Sequence, residues 1–213
     1  MKLGPGEPEA DSWQVEPFTT FVRRLTGRVI AVDGRGGSGK TTLAERIGRA
    51  HPGSVVVHTD DIAWWHSRFG WADLMVDGVL RPWLAGGDVR YQPPAWPAHG
   101  RDGFVEVPAS APLVIVEGVG ASRRELTPYL DSVVWVQSDY EEAKARGIRR
   151  DMAEKGVDEA GALREWDEWE VEEVPFFLED RPWQRAGYVV RSIVLDREAV
   201  ELHLGPVGGA VRG

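Results

Sequence analysis

The sequence predicts an α/β fold in which a mainly parallel sheet is covered by helices on both faces. Three observations carry that expectation. Short apolar runs rich in valine and isoleucine recur at 28–34, 54–58, 112–118 and 132–137. Between several of them lie segments whose apolar residues return at helical spacing. A glycine-rich stretch joins the first run directly to a helix, which is strand–loop–helix order.

Taken in order, residues 1–12 are rich in Gly, Pro and acid and read as a loose tail. Pro17 opens a short helix carrying Phe18, Phe21, Val22 and Leu25. "RVIAVDG" is a buried strand, "KTTLAERIGRAH" a helix with Leu43 and Ile47 on one face, and "SVVVH" a second strand. From 62 to 105 the regular pattern fails, with Pro82, Pro93, Pro94 and Pro97 among scattered aromatics. That stretch reads as an irregular, partly helical insertion over the sheet edge. "PLVIVEG" and "SVVWVQ" are further strands, and "YEEAKARGIRRDMAEKG" is a charged helix ended by Gly156. A second long helix is expected from Asp158, with Leu163, Trp166, Trp169 and Phe177 facing inward and Pro175 kinking or interrupting it. "YVVRSIVL" is the last strand. The 213 residues suit one domain, with 139–156 as a lid and 62–105 as an acceptor-binding insertion.

Composition narrows the function. A formal charge of −9 argues against a nucleic-acid partner held by phosphate neutralisation. With no cysteine, disulfides and thiolate metal sites are excluded. No apolar run is long enough for a membrane span, so no membrane partner and a cytoplasmic location are expected. Assembly with further copies of the chain stays open.

"GRGGSGKT", Gly34 to Thr41, fits G-x-x-x-x-G-K-[ST] in full and in the required context. Gly34, Gly36, Gly37 and Gly39 let the backbone curl so that successive N–H groups, that of Ser38 among them, face phosphate oxygens. The following helix start, with Thr42, adds its positive end. Lys40 reaches the β- and γ-phosphates, and the Thr41 hydroxyl can ligate Mg²⁺. The expected fold is therefore a P-loop NTPase three-layer sandwich, and the expected nucleotide is a triphosphate such as ATP.

What the triphosphate is used for follows from the rest of the sheet edge. There is no N-K-x-D tetrapeptide for guanine and no L-S-G-G-Q-type signature, which leaves a small-molecule kinase. Asp33, the Asp60–Asp61 pair and Glu117 each follow a strand and should gather at its carboxyl edge. A carboxylate there can accept the proton of an attacking hydroxyl or hold the metal; Asp60 is the first choice as base, with Asp61 next. Arg146, Arg149 and Arg150 share a helical turn and can close over the transferring group, or else form a solvated basic face. Trp64, Trp65, Trp71, Trp83, Tyr91 and Trp96 have two readings, a stacking surface for a planar acceptor or the core of a loop-rich lobe.

Together, "DGRGGSGKTT", "HTDD", "VIVEG" and "RGIRRD" resemble the uridine kinase family of P-loop nucleoside kinases, over residues 28–190. The resemblance implies Asp60 as general base and metal partner, Glu117 as a further Mg²⁺ partner and lid arginines within "RGIRRD". It implies that "RPWQRAGYVV" lies around adenine, and that Tyr91, Trp96, His99 and Arg101 meet the acceptor. Ala95 stands where that family carries an acid for the ribose hydroxyls, with Asp73, Asp77 and Asp88 as possible replacements. A non-nucleoside alcohol, or an ATP-binding module without phosphotransfer, are the other readings.

Overall fold

A computed structural model describes residues 1–191 and 198–207. Its main sheet has seven strands: β1 (Gln14–Pro17), β2 (Val29–Gly34), β3 (Val55–His58), β6 (Val114–Glu117), β7 (Ser132–Gln137), β8 (Tyr188–Arg191) and β9 (Ala199–Leu204). Their order is β1-β9-β8-β7-β2-β6-β3. The five strands from β8 to β3 are parallel, and the β1–β9 and β8–β9 pairings are antiparallel. A separate hairpin pairs β4 (Val89–Tyr91) with β5 (Val105–Val107).

The central strands show why helices must cover both faces. Along β2 every residue is buried, and alternate side chains enter different cores. Val29 and Ala31 join Val114 and Val116 on one face, packed against the 62–89 region. Ile30 and Val32 face the other way with Leu113 and Ile115. There they meet α1 (Phe18–Arg24) and α2 (Lys40–Ala50), through Phe21, Val22, Leu43 and Ile47. A period of two in the strands, buried on both sides, makes a three-layer sandwich.

Within 62–105 the chain is partly helical, in short pieces. The short helices α4 (Ala72–Met75) and α5 (Arg81–Leu84) are joined by a π-helical turn, Val76–Leu80, and α6 spans Ala95–Ala98. Trp71 and Trp83 are fully enclosed there, so the core reading holds for these two rings.

Two long helices follow β7, the first of them over the stretch expected as a lid, 139–156. In α7 (Tyr140–Lys155) the Asp139 carboxylate caps the amides of Glu141 and Glu142, and Gly156 closes the other end at φ +68°. Asp158 caps α8 (Glu159–Asp180) through the Gly161 amide. This helix continues through Pro175, so of the expected kink or interruption the interruption does not occur. Trp166 and Phe177 point inward as expected, but Leu163 is exposed.

Three further expectations are corrected or bounded. Residues 1–12 are not a loose tail: Glu7 and Ala10 are buried, and the Lys2 amide donates to Asp139. The last predicted strand stands as Tyr188–Arg191; its remaining residues, 192–195, lie outside the described residues. Strands β1 and β9 were not foreseen. Among the described residues no helix is long and apolar enough to cross a membrane.

Candidate functional site

The glycine loop leaves β2 and enters α2 at the carboxyl edge of the sheet. Lys40, Thr41 and Thr42 form the first turn of α2, where amides have no intrahelical acceptor and face outward. Gly39 (φ +94°) and Gly37 (φ +69°) take backbone angles closed to most side chains. At Gly37 space is also short: a Cβ there would lie 2.2 Å from the Ala143 carbonyl of α7. Gly39, Thr41 and Thr42 are exposed, so the loop has an open mouth, while Lys40 is buried with its Nζ donating to the Arg35 carbonyl at 3.1 Å. Ser38 is fully buried and its hydroxyl has no partner among the described residues.

At the neighbouring strand ends, Thr41 Oγ1 donates to Glu117 Oε1 at 3.1 Å. The other carboxylate oxygen of Glu117 takes His58 Nδ1 at 2.6 Å. Glu117 is buried, and burial pushes its carboxyl up. The His58 hydrogen bond, Lys40 and Thr41 outweigh that and hold it below the usual carboxylate range. His58 is raised in turn, first by its bond to Glu117 and further by the charges of Asp61 and Asp60. The parallel pairing of His58 with Glu117 across β3 and β6 places the two side by side. Sequence reasoning quoted "HTDD" without giving His58 a role; the parallel register was the missing signal.

Asp60 and Asp61 open the short helix α3 (Thr59–Ala63) and separate in role. Asp60 is exposed, and its carboxylate has no partner among the described residues. Asp61 pairs with Arg101 Nη2 at 2.5 Å, while its carbonyl accepts Trp96 Nε1 at 2.8 Å. Asp33, expected at the same edge, is sealed inside. Burial pushes it up to about 6. Both its oxygens nonetheless accept two donors each, from Gly34, Gly120 and Ser122, the arrangement of an ionised carboxylate. It ties the end of β2 to the 118–122 turn and is unavailable for chemistry.

Beyond Asp61 lies an aromatic shelf. Trp64 and Trp65 stack at 4.7 Å, and His99 stacks on Trp65 at the same separation, nearly parallel. Arg101 lies over Trp96 at 3.7 Å and over Trp64 at 4.8 Å. Trp65 is half exposed and sits at φ +61°, a conformation a bulky residue adopts only at a cost. Trp64, Trp96, His99 and Arg101, expected at the acceptor, thus converge with Asp61, the second candidate base. Tyr91 does not join them. Its ring packs over Gly78 of the π turn, beside a cavity of about 410 Å³ that also holds Asp73, Asp77 and Asp88. None of the shelf residues lines that cavity, so the proposed carboxylate replacements for Ala95 lie elsewhere.

Of the three arginines expected to close over the transferring group, Arg146 reaches the loop, donating from Nε to the Gly37 carbonyl at 3.2 Å. Arg150 is engaged with Asp151 and Glu154, and Arg149 is exposed. A cleft of about 220 Å³ opens between Thr42, Arg46 and Arg146 on one side and Val190 and Arg191 on the other. In the predicted adenine segment Trp183 is instead core, edge-on to Trp135 at 5.4 Å. Arg185 there binds the Ser122 carbonyl and Asp180.

The chain is similar to solved structures at low identity. A possible uridine kinase from Bacillus stearothermophilus is 18% identical, with a TM-score of 0.49, over 80% of this chain and 94% of that one. A chain of the Pnkp1/Rnl/Hen1 RNA repair complex is 17% identical with a TM-score of 0.42, over 87% of this chain and 52% of that one. An uncharacterized protein from Eubacterium ventriosum is 16% identical with a TM-score of 0.35, over 69% and 73%. No protein-family profile and no curated protein matches the chain. The site therefore rests on its own residues.

Chemically, the edge offers main-chain amides and a buried ammonium for phosphate, and two hard oxygens, Thr41 Oγ1 and Glu117, for a divalent cation. Among the described residues no three His, Asp or Glu side chains form a closed metal cage. That donor set suits Mg²⁺, which takes one or two protein oxygens and fills its shell from phosphate and water.

Proposed function

We propose that the chain is an ATP-dependent kinase that transfers the γ-phosphoryl group to a hydroxyl of a small molecule. The observation that carries this reading is the link from the glycine loop to the acceptor side: Thr41 to Glu117, Glu117 to His58, and His58 within the field of Asp60. A triphosphate cradle alone would suit many proteins. An exposed carboxylate whose charge reaches His58 suits one that must deprotonate an alcohol.

In this reading the acceptor oxygen attacks the γ-phosphorus, the bond to the β,γ-bridging oxygen breaks, and ADP leaves. The hydroxyl proton passes to Asp60, whose carboxylate is open to solvent. Asp61 is committed to Arg101 and shapes the acceptor side instead. Lys40 exchanges the Arg35 carbonyl for phosphate oxygens and, with Arg146, offsets charge on the transferring group. Thr41 and Glu117, with Asp60 at the margin, are the residues that would hold Mg²⁺. When bound, that ion neutralises phosphate charge. The shelf of Trp64, Trp65 and His99 supports an acceptor with a flat ring, and the four motifs that resemble those of the uridine kinase family point to a nucleoside first.

The test is ADP release from ATP–Mg against a panel of nucleosides, sugars, vitamins and aminoglycoside-like alcohols. Turnover with one nucleoside supports the full reading, and turnover with another alcohol keeps the kinase and changes the acceptor. No turnover across the panel, with ATP still bound, would make the chain a nucleotide-binding module.

A further inference from the structure

The back of the glycine loop is held by charged residues that the phosphotransfer chemistry does not use. Glu173, deep in α8, accepts the Gly36 amide at 2.8 Å through Oε1. Its second oxygen lies 3.4 Å from Arg35 Nη1. Arg35 also donates to the Pro5 carbonyl at 2.6 Å and pairs with Glu7 at 3.5 Å. Glu7 in turn accepts Trp135 Nε1 at 2.6 Å and Gln137 Nε2 at 3.2 Å, both from β7. The side chains of Arg35, Glu7 and Glu173 are 5%, 2% and 1% exposed.

Three charges taken this far from water are costly unless their geometry is used. A hydrophobic trio would fill the same space, but it would leave the Gly36 amide without an acceptor. Trp166 and Trp169 close over Gly36 from the same helix, at 3.2 and 3.5 Å from where a Cβ would stand. The amide is therefore turned away from the mouth, toward α8. One peptide fixed this way limits how its neighbours can rotate, including those of Gly37 and Ser38 on the path to the phosphate side.

We propose that Glu173 and Arg35 are positioning residues that set the conformation of the cradle before any ligand arrives, coupling it to α8 and to the N-terminal residues. The proposal rests on reading residues 34–41 as the nucleotide cradle. It goes beyond that reading in assigning a role to side chains that touch no substrate.

Amide exchange and MgATP affinity test it together. In the unaltered chain the Gly36 amide should be the slowest to exchange within the loop. In Glu173→Leu, exchange across residues 36–39 should rise while that of 29–33 is unchanged. MgATP affinity should fall about tenfold or more, the scale of a buried donor left unpaired. Glu173→Gln keeps an acceptor for Gly36 and should stay within about threefold of the unaltered chain. Where an acceptor has been found, kcat at saturating ATP should be little changed in Glu173→Leu and the KM for ATP should carry the loss.

A fast-exchanging Gly36 amide in the unaltered chain would overturn the proposal, and that measurement needs no variant to fold. Unchanged MgATP affinity in a folded Glu173→Leu would overturn it too. If the unaltered chain binds no nucleotide, the cradle reading fails, and the exchange rates still decide whether the brace exists.

Discussion

The two sides of this site are built on opposite plans. The cradle is fixed from behind: Arg35, Glu7 and Glu173 are buried together, Gly37 lies against α7, and Lys40 is held by its own loop. The proposed acceptor side is open. Asp60 has no partner among the described residues, Trp64 and Trp65 are about half exposed, and Trp65 is held in a left-handed conformation. The contrast matches what each half would bind. A triphosphate has one shape and can be met by a preset backbone, whereas an acceptor must enter, be oriented and leave.

The sharpest way to break the comparison is at Asp60. Asp60→Asn should lower phosphotransfer by about 10³-fold, within the range for general bases, and leave the affinity for ATP without metal unchanged. Steady-state kinetics beside calorimetric binding would check it; lost binding would move Asp60 to the cradle side. Lys40→Ala comes next, with kcat reduced by about 10²-fold or more. Because Lys40 is also buried in the loop, a companion loss of ATP affinity is expected from the same titration. Trp64→Ala should act on the open side alone and raise the KM for the acceptor roughly tenfold, the scale of one lost aromatic contact. The KM for ATP should not move.

The smallest effect concerns His58. Its pKa is raised in the folded chain by the bond to Glu117, so the pair's stabilisation is complete below the unfolded value of about 6.5. It is lost as pH rises through the folded value. Glu117, which is lowered, contributes in the opposite sense and at more acid pH. Melting curves without metal, from about pH 6 to pH 9, should therefore show a downward slope in Tm that His58→Gln flattens. An identical slope in the variant would disconnect His58 from Glu117.

Much of the cradle side was legible in the sequence, because eight adjacent residues carry it and their spacing is covalent. The strand that leads to Asp60 and the one that ends in Glu117 were legible for a related reason: short valine-rich runs bounded by polar residues leave few alternatives. What escaped was set by long-range pairing. Glu173 meets Gly36 across 137 residues of sequence, and Glu7 meets Trp135 across 128. A Gly- and Pro-rich beginning reads as tail until its one buried acid finds an arginine. Leu163 shows the reverse error, since the helical period that placed Trp166 correctly says nothing about where a covering layer stops. Tyr91 and His99 were grouped by the family resemblance, yet Tyr91 is held in β4 over Gly78 while His99, beyond α6, stacks on Trp65.

The stack of Trp64, Trp65 and His99 has a practical consequence. Indoles in face-to-face contact with an imidazole emit light according to how that contact is made, and these two stand at the surface while Trp71, Trp83, Trp135 and Trp183 are enclosed. A flat compound that slides between them, or lifts one ring from the next, would change the protein's own ultraviolet emission. Candidate acceptors could then be ranked by titration in a cuvette, without a label and before any turnover is sought.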